Sequence, residues 1–475
     1  MLCLLLLCTH ISAATVDSAT AKIVAQNFYM SKFGKGLSQP STITLSTSWK
    51  SVQHATSDTI VCFYIFNIDN GFVIVSGDDK IYPILAFSDE TSFNSTALPE
   101  NLTFLMKEYA REILAVIENP YTDNSETKSL WSKYIHSEST LSQKSALLIG
   151  PLIKTKWAQT NYYNNLCPVD ANGPGGHALA GCIAVVMGQI MKYWEYPISG
   201  QGDYGYTCNN AQYGNGYGNY GYLYADFEHT TYDYANMPNN LVWSTDSAKV
   251  DAVATLLYHC GIGANTRYGS IASMANTNYM VSAITDFFRY KSDVRYIERN
   301  QYSNDDWFDL MKNEIDSLQP FCYGGTGNQG GHAFICDGFD EPYFHVNWGW
   351  GGSHNGYFTL SAMNPGPYSF NSEQAAIIGI RGPHLPGVSV AEHPNEPSLS
   401  VYPNPSNGQF SIQLSSDNLL PQSNFFIYDI YGRLLKSGRV ESDRYSINLK
   451  DLSAGTYILQ VGTSTGKIPQ KIIIQ

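Results

Sequence analysis

Residues 175–197 read GGHALAGCIAVVMGQIMKYWEYP, and the fold can be predicted outward from this stretch. Apolar side chains follow Cys182 at helical spacing as far as Trp194, and Pro197 ends the pattern. A helix that begins at Cys182 would hold its thiol beside unpaired N–H groups and the positive end of the helix dipole. The stretch therefore predicts a nucleophilic thiolate with a lowered pKa. The alternative is a buried structural cysteine.

A thiolate nucleophile needs a general base, and His332 is the best candidate. It lies in NQGGHAFICDGFD (residues 328–340), 150 residues after Cys182, where it follows two glycines and begins a strand pattern. A cysteine that precedes a histidine by roughly 130–150 residues is typical of papain-like peptidases. A satisfied core histidine is the alternative. His345 is a rival base, but it alternates within an apolar strand, which favours a structural role.

Three further residues fit the supporting roles of an acyl-transfer site. In YFHVNWGWGGSHNGYF (residues 343–358), Asn347 can orient the imidazole and Trp348 can shield that hydrogen bond from water. A glycine-rich hairpin whose tryptophans simply pack is the alternative. In PLIKTKWAQTNYYNNLCP (residues 151–168), Gln159 lies 23 residues before Cys182. Its amide, with the Cys182 backbone N–H, can stabilise the oxyanion.

Composition and charge exclude several classes of protein. The chain has 475 residues, 43% hydrophobic and 15% charged content, and a net charge of −13. This composition excludes wholesale disorder, and the charge makes nucleic acid an unsuitable partner. Nine cysteines at irregular spacing contain no CxxC pair, which disfavours both structural zinc and a disulfide framework. No HExxH motif or other metal-ligand spacing occurs, so we expect no metal and no cofactor.

The beginning of the chain predicts export. An apolar run from Leu2 to Cys8 precedes small residues, so residues 1–14 are interpreted as a signal peptide cleaved after Ala13 or Ala14. No later run reaches the roughly 18 apolar residues of a membrane-spanning helix. We therefore expect an exported protein without a membrane span.

Composition shifts divide the remainder into four parts. Residues 15–147 combine an amphipathic helix near Ala21–Phe33 with strands around an Asp69-Asn70-Gly71 turn, and 124–144 are polar like an exposed connector. Residues 148–382 carry the candidate catalytic residues. A Pro-rich linker spans 383–397, and short alternating strands from 398 to 475 predict an all-β sandwich.

Four segments, WAQTNYYNNLCP, GGHALAGCIA, GGHAFICDGFD and HVNWGWGG, together resemble the streptopain family of secreted papain-like cysteine peptidases. The resemblance extends over about residues 20–382. It implies an α+β fold with a two-lobed papain-like peptidase domain, preceded by a small α+β inhibitory propeptide and followed by an immunoglobulin-like sandwich. It also implies the residue roles, which are Cys182 as nucleophile, His332 as base and acid, Gln159 at the oxyanion hole, Asn347 orienting the imidazole and Trp348 packing over it.

The tail segments VYPNPSNGQF, IYDIYGRLL, LSAGTYILQV and KIIIQ resemble the C-terminal sorting domain of type IX secretion cargo. That resemblance implies delivery to the cell surface or the medium, with the type IX machinery as a partner. A generic carbohydrate-binding or adhesive sandwich is the alternative.

These patterns lead to one functional hypothesis and two rivals. The hypothesis is a secreted cysteine endopeptidase made as a zymogen, which acts on proteins or peptides and is inhibited by its own propeptide until cleavage near residues 140–150. The first rival is an amidase or transpeptidase that uses the same Cys–His pair. The second is a non-catalytic surface adhesin on a peptidase fold.

Overall fold

The structure is a computed structural model that describes residues 15–33, 42–53, 56–118, 125–137, 148–214, 216–327, 330–361, 374–383, 399–414, 424–429, 434–440, 442, 444–463 and 466–475. The predicted signal peptide (1–14) and nearly all of the predicted linker therefore lie outside the described residues. The chain divides into two compact units, Met1–Val388 and Ser389–Gln475.

Three helices and four strands lie in the part of the N-terminal region that the structure describes. In chain order they are α1 (Ser18–Phe33), β1 (Ile43–Val52), β2 (Thr59–Ile68), β3 (Gly71–Ser76), β4 (Ile84–Ser88), α2 (Glu100–Glu118) and α3 (Ser125–His136). The predicted helix and the predicted Asp69-Asn70-Gly71 hairpin are both present, because β2 and β3 pair directly across that turn.

The predicted connector at 124–144 differs from the structure. Its first half is the helix α3, in which Trp131 is buried and donates an indole hydrogen bond to the Ile81 carbonyl at 2.8 Å. Tyr134, three residues later, packs its ring against Phe28 of α1. A few apolar residues at helical spacing are enough to dock this mostly polar segment. Residues 138–147 lie outside the described residues.

The described residues of the second region supply four α-helices and eight strands to the same unit. They are α4 (Cys182–Trp194), β5 (Asp203–Asn209), β6 (Asn219–Asp226), α5 (Ser247–Gly263), α6 (Thr277–Asp286), β7 (Arg295–Glu298), α7 (Asn304–Asp316), β8 (Phe321–Gly327), β9 (Gly330–Asp340), β10 (Tyr343–Asn347), β11 (Gly356–Phe358) and β12 (Gln374–Ile378). Helix α4 begins at Cys182 and ends before Pro197, as predicted.

One ten-stranded sheet joins the two regions, in the order β1-β2-β3-β4-β11-β10-β9-β8-β12-β7. The junction is the antiparallel pair β4–β11, where Phe87 lies opposite Tyr357 and Ala86 opposite Phe358. Gly356 permits this approach, because a Cβ there would lie 2.6 Å from the Phe87 carbonyl oxygen. The N-terminal region is thus built onto the sheet of the second region.

Two hydrophobic cores give the second region its two lobes. The helical core surrounds α4, α5 and α6 and includes Met187, Leu257 and Met280. The sheet core lies between the sheet and helices α2 and α7, and Tyr109 of α2 belongs to it. Helix α2 of the N-terminal region therefore completes a core of the second region. The predicted α+β two-lobed architecture is confirmed.

Seven strands lie in the described residues of the C-terminal unit. They are β13 (Leu399–Tyr402), β14 (Gln409–Leu414), β15 (Asn424–Asp429), β16 (Leu434–Arg439), β17 (Arg444–Asn448), β18 (Gly455–Thr463) and β19 (Gly466–Ile474). One sheet has the order β13-β14-β17 and the other β16-β15-β18-β19. Alternate residues such as Ile412, Ile427 and Leu459 are buried together, which confirms the predicted all-β sandwich.

Candidate active site

The predicted nucleophile Cys182 is the first residue of α4 and is partly exposed. The preceding Gly181 has φ +91°, a conformation that glycine adopts readily and other residues avoid. This turn lets the chain enter the helix with the Cys182 thiol at its N-terminus. The Gly181 carbonyl then accepts the first helical hydrogen bond, from Val185 N at 3.2 Å.

Gln159 and Cys182 line the same cleft. Its walls come from two regions, and the lining residues are Glu100, Asn101, Gln159, Leu179, Cys182, Ile271, Ala272, Ser273, Met274 and Trp350. Gln159 is buried, and its backbone carbonyl accepts a hydrogen bond from Ala180 N at 3.0 Å. This bond ties the Gln159 segment to the residues immediately before the nucleophile.

The thiol of Cys182 has a raised pKa in this form of the protein, which is the opposite of the predicted direction. Burial is the main cause, and the Glu100 carboxylate acts in the same direction. Backbone N–H groups of Ala333 and Ile183 oppose the shift. The helix N-terminus therefore assists the thiolate, as expected, but burial and an acidic neighbour outweigh it.

His332 lies in β9, where its backbone is opposite Gly325 of β8. Its side chain lies outside the described part of the structure. The next residue, Ala333, is buried and acts through its N–H on the Cys182 thiol. The backbone of the strand that carries the predicted base therefore passes beside the predicted nucleophile.

Asn347 ends β10 and is 1% exposed. Its Nδ2 donates to the Thr155 carbonyl at 2.9 Å, and its Oδ1 accepts from Gly349 N at 3.1 Å. A further contact joins it to Gln189, a buried residue of α4 that the sequence analysis missed. A polar residue on the apolar face of the nucleophile helix was the available signal.

Trp348 is fully buried. Its ring lies 4.7 Å from Phe334 and 5.1 Å from Phe358, and its Nε1 donates to the His354 carbonyl at 2.9 Å. The tryptophan that lines the cleft is Trp350, two residues later. The motif NWGWGG contains both, and nothing local to it distinguished the tryptophan in the core from the one at the cleft.

Helix α2 of the N-terminal region starts inside the cleft. Asn101 is 3% exposed, and its Nδ2 donates to the carbonyl oxygens of Ala333 at 3.1 Å and Trp348 at 2.8 Å. These acceptors neighbour the predicted base and the predicted imidazole-orienting residue. The N-terminal region therefore occupies the space beside the nucleophile.

A second polar contact joins the two regions through His345, the rival base. Its Nδ1 donates to Asp337 at 2.5 Å and its Nε2 donates to Glu90 at 3.0 Å, so the ring is a protonated imidazolium. Lys156 pairs with the other oxygen of Glu90 at 3.0 Å. His345 is 2% exposed and does not line the cleft, which agrees with a structural role.

The described residues contain no group of three or more His, Cys, Asp or Glu side chains arranged to hold a metal ion. Seven cysteines fall within the described ranges, and all seven are free thiols. Within those same ranges, no helix is long and apolar enough to cross a membrane.

Three parts of the chain match known families. Residues 157–358 match the Peptidase C10 family, residues 13–113 match the Spi protease inhibitor family, and residues 400–475 match the secretion system C-terminal sorting domain. The first match contains Cys182, Gln159, His332, Asn347 and Trp348. The second covers α1, β1 to β4 and most of α2.

Individual proteins show the same similarity. Streptopain from Streptococcus pyogenes is 33% identical over 335 residues, which are 67% of this chain and 80% of streptopain. The thiol protease/hemagglutinin PrtT of Porphyromonas gingivalis is 29% identical over 430 residues, 84% of this chain but only 45% of that protein. A prointerpain A fragment from Prevotella intermedia has a TM-score of 0.54 at 28% identity, covering 72% of this chain and 99% of that one.

The similarity to streptopain covers most of both chains, and the Peptidase C10 match contains all five predicted site residues. The inhibitor match adds the part of the chain whose helix α2 enters the cleft, and the sorting-domain match indicates export to the cell surface or the medium. The chain therefore belongs to the peptidase C10 family of cysteine peptidases, with an inhibitor-type propeptide before the peptidase and a secretion sorting domain after it.

Proposed function

We propose that this chain is the zymogen of a secreted cysteine endopeptidase that uses Cys182 as nucleophile and His332 as general base and acid. One observation carries the proposal. Cys182 begins α4 in a cleft that it shares with Gln159, beside the N–H of Ala333, the residue after His332. This arrangement supports nucleophile, base and oxyanion donor within reach of one peptide carbonyl.

In the acylation step, the Cys182 thiolate attacks the carbonyl carbon of the scissile peptide bond and forms a C–S bond. The negative charge that develops on the carbonyl oxygen is stabilised by the Gln159 amide and the Cys182 N–H. Protonated His332 gives its proton to the leaving nitrogen as the C–N bond breaks. A thioester on Cys182 and a free amine are the products.

In the deacylation step, neutral His332 takes a proton from water, and the oxygen of that water attacks the thioester carbonyl. The same two donors stabilise the second oxyanion. Collapse of this intermediate breaks the C–S bond and returns the thiolate and the imidazolium. Asn347 and Trp348 are proposed to hold the His332 ring in one orientation during both steps.

The propeptide accounts for latency in this proposal. Asn101 and Glu100 line the cleft, and the Glu100 carboxylate adds to the effect of burial in raising the pKa of Cys182, so departure of the propeptide would favour the thiolate. Cleavage near 140–150 would release it. A cut before residue 148 would preserve the mature N-terminus, because Ile149 pairs with Phe339 and Leu152 N donates to Asp337.

The substrates proposed for this site are proteins and peptides with an apolar side chain near the scissile bond. Leu179, Ile271 and Met274 give the cleft an apolar wall, and Ile271 is 72% exposed. Exposed apolar surface at a cleft favours binding of an apolar group. The type IX secretion machinery is the proposed partner of the C-terminal sandwich.

Casein digestion by the purified full chain tests the proposal. The wild-type chain should cleave casein after maturation, and Cys182→Ala should abolish cleavage, whereas Cys260→Ala, a buried free thiol in α5, should retain it. Casein cleavage by the Cys182→Ala protein would contradict the proposal. Acyl transfer to added amines in preference to water would favour the transpeptidase rival, and a folded but inactive wild-type chain would favour the adhesin.

A further inference from the structure

We infer that Gln189 is a positioning residue for the reaction, because its side-chain amide joins the three segments that carry the nucleophile, the oxyanion donor and the imidazole-orienting asparagine. The inference rests on the proposed function and deepens it. Gln189 lies in α4, seven residues after Cys182, and is completely buried.

The surroundings of Gln189 are apolar on its own helix, where Val185, Val186 and Ile190 are all buried. An unpaired amide in such a place would be strongly destabilising, so its partners must satisfy it. A leucine or methionine at this position would pack in the core without needing a hydrogen-bond partner. We therefore expect the Gln189 amide to be needed for its hydrogen bonds to the other segments.

Gln189 Oε1 accepts from the segment that leads to the oxyanion residue. Thr155 Oγ1 donates to it at 3.0 Å, and Trp157 N donates at 3.1 Å. Gln159 follows only two residues after Trp157. These bonds fix the position of the segment that leads to Gln159 relative to α4, and hence relative to Cys182.

The same amide also contacts Asn347. Asn347 Nδ2 donates to Gln189 Oε1 at 3.3 Å, and Gln189 Nε2 donates to Asn347 Oδ1 at 3.4 Å. Asn347 Nδ2 donates in addition to the Thr155 carbonyl, and Gly349 N donates to Asn347 Oδ1. A flipped Asn347 amide would face two N–H donors with its own NH₂, so this network allows a single orientation.

All partners of Gln189 in this network belong to the peptidase region, at 155, 157 and 347. None of them depends on the propeptide, which contacts the Trp348 carbonyl and not the Asn347 side chain. The network therefore persists in the mature enzyme. Its function is to hold the orienting amide and the oxyanion segment at fixed positions relative to the nucleophile helix.

Two substitutions at Gln189 separate positioning from packing. Gln189→Met keeps the volume and removes every hydrogen bond. Gln189→Glu keeps an oxygen that can accept from Thr155, Trp157 and Asn347, and burial favours the protonated acid, whose O–H can replace the Nε2 donor to Asn347 Oδ1. We expect Gln189→Met to lower kcat about 10- to 100-fold with little change in KM, because misplaced groups slow the chemical step more than binding. Gln189→Glu should retain most of the wild-type kcat at a pH where its carboxyl is protonated, and Gln189→Met, which adds no titratable group, should shift the pH profile of kcat.

Matched measurements keep the test decisive. Each variant is matured, titrated with a thiol-directed epoxide to count folded active sites, and assayed on a peptide that the wild-type enzyme cleaves. Tyr232→Phe serves as control, since it removes a buried hydrogen bond to His259 away from the network. Equal kcat in wild type and Gln189→Met would overturn the inference. An inactive wild-type enzyme would instead overturn the proposed function.

Should Gln189→Met fail to fold, Thr155→Val gives a second route. It removes the Thr155 hydroxyl from Gln189 and leaves the backbone bond from Trp157 intact. A smaller fall in kcat with unchanged KM supports the inference, and an unchanged kcat contradicts it.

Discussion

The Asn101 side chain donates a hydrogen bond to the Trp348 carbonyl oxygen at 2.8 Å, across 247 residues of sequence. A second bond from the same Nδ2 reaches the Ala333 carbonyl at 3.1 Å. One propeptide amide thus bridges the two strands that carry His332 and Asn347. The inhibitor-type region thus contacts the segments around the cleft through a specific polar side chain.

Substitution of Asn101 should weaken latency. Asn101→Leu removes the hydrogen bonds to the Ala333 and Trp348 carbonyls and the one from Leu102 N, each worth about 0.5–1.5 kcal/mol. We expect the precursor thiol to react with an epoxide on the order of 10-fold faster or more. Asn94→Ala is the matched control, because the exposed Asn94 side chain hydrogen-bonds to Thr96 in its own loop. Equal labelling rates in Asn101→Leu and wild type would refute this role.

The contact between His345 and Glu90 should make docking of the propeptide depend on pH. Burial alone would lower the pKa of His345, but the Asp337 carboxylate and the hydrogen bonds to Asp337 and Glu90 raise it to about 9. The hydrogen bond from His345 lowers the pKa of Glu90 to about 2. The other charged or titratable groups in contact with this cluster are Lys156, which pairs with Glu90, and Tyr357, whose ring packs on His345.

The direction of the pH effect follows from the two shifts. Because the pKa of His345 is raised in the folded state, its protonation stabilises the folded precursor fully below about pH 6.5. This contribution is lost as the pH rises through about 9. The contribution of Glu90 is lost only as the pH falls from about 4.5 towards 2. Thermal unfolding of the Cys182→Ala precursor should show that Glu90→Gln is most destabilising near pH 5–6.5. If the difference in thermal stability between Glu90→Gln and its parent did not shrink between pH 7 and 10, the assignment would be contradicted. Glu228→Gln, at an exposed glutamate, is the control.

Gly181 should be required for activity because of its backbone conformation. Gly181→Ala forces a side chain into φ +91° directly before the nucleophile, a strain of about 1–3 kcal/mol that the start of α4 can relieve by shifting. Gly202→Ala is the matched control, since Gly202 has φ +63° and open space around it. Both variants should lose similar stability, but only Gly181→Ala should lower kcat, by about 10-fold or more. Equal kcat in the two variants would show that the turn is merely structural.

Phe87 should contribute strongly to docking of the propeptide sheet. Its ring stacks on Tyr357 at 5.2 Å and contacts Phe28 and Tyr343 at 5.0 Å each. Phe87→Ala should lower the free energy of unfolding of the Cys182→Ala precursor by about 3–5 kcal/mol in urea titrations. Leu45→Ala, at a side chain 49% exposed on β1, should cost far less. A similar loss in both variants would mean that the junction contributes little.

Local features were predictable from the sequence. The helix from Cys182 to Trp194 and the hairpin around Asp69-Asn70-Gly71 each depend on side-chain spacing within a short stretch. The pairing of Cys182 with Gln159 was predicted from the needs of acyl transfer and from the family resemblance, because no local pattern reports their separation in space. The structure joins them in one cleft.

Contacts between distant segments were not predictable. Asn101 occurs in an unremarkable polar context, and its partners lie 232 and 247 residues away. The junction of β4 with β11 likewise joins residues 86–87 to 357–358. Gln189 hydrogen-bonds to Trp157, which precedes it in the sequence, and to Asn347, which follows it. Each depends on tertiary packing that periodicity does not encode. The raised pKa of Cys182 has the same origin, since the propeptide residue Glu100 helps to raise it.

Site-specific labelling of Cys182 tests the central claim most directly. The chain is incubated with a thiol-directed epoxide before and after removal of the propeptide, mapped by mass spectrometry, and assayed on casein. The account predicts slow labelling in the precursor, rapid labelling of Cys182 after maturation, and loss of casein cleavage in proportion to the label. An unlabelled Cys182 in the mature protein, with casein cleavage unaffected by the inhibitor, would contradict it.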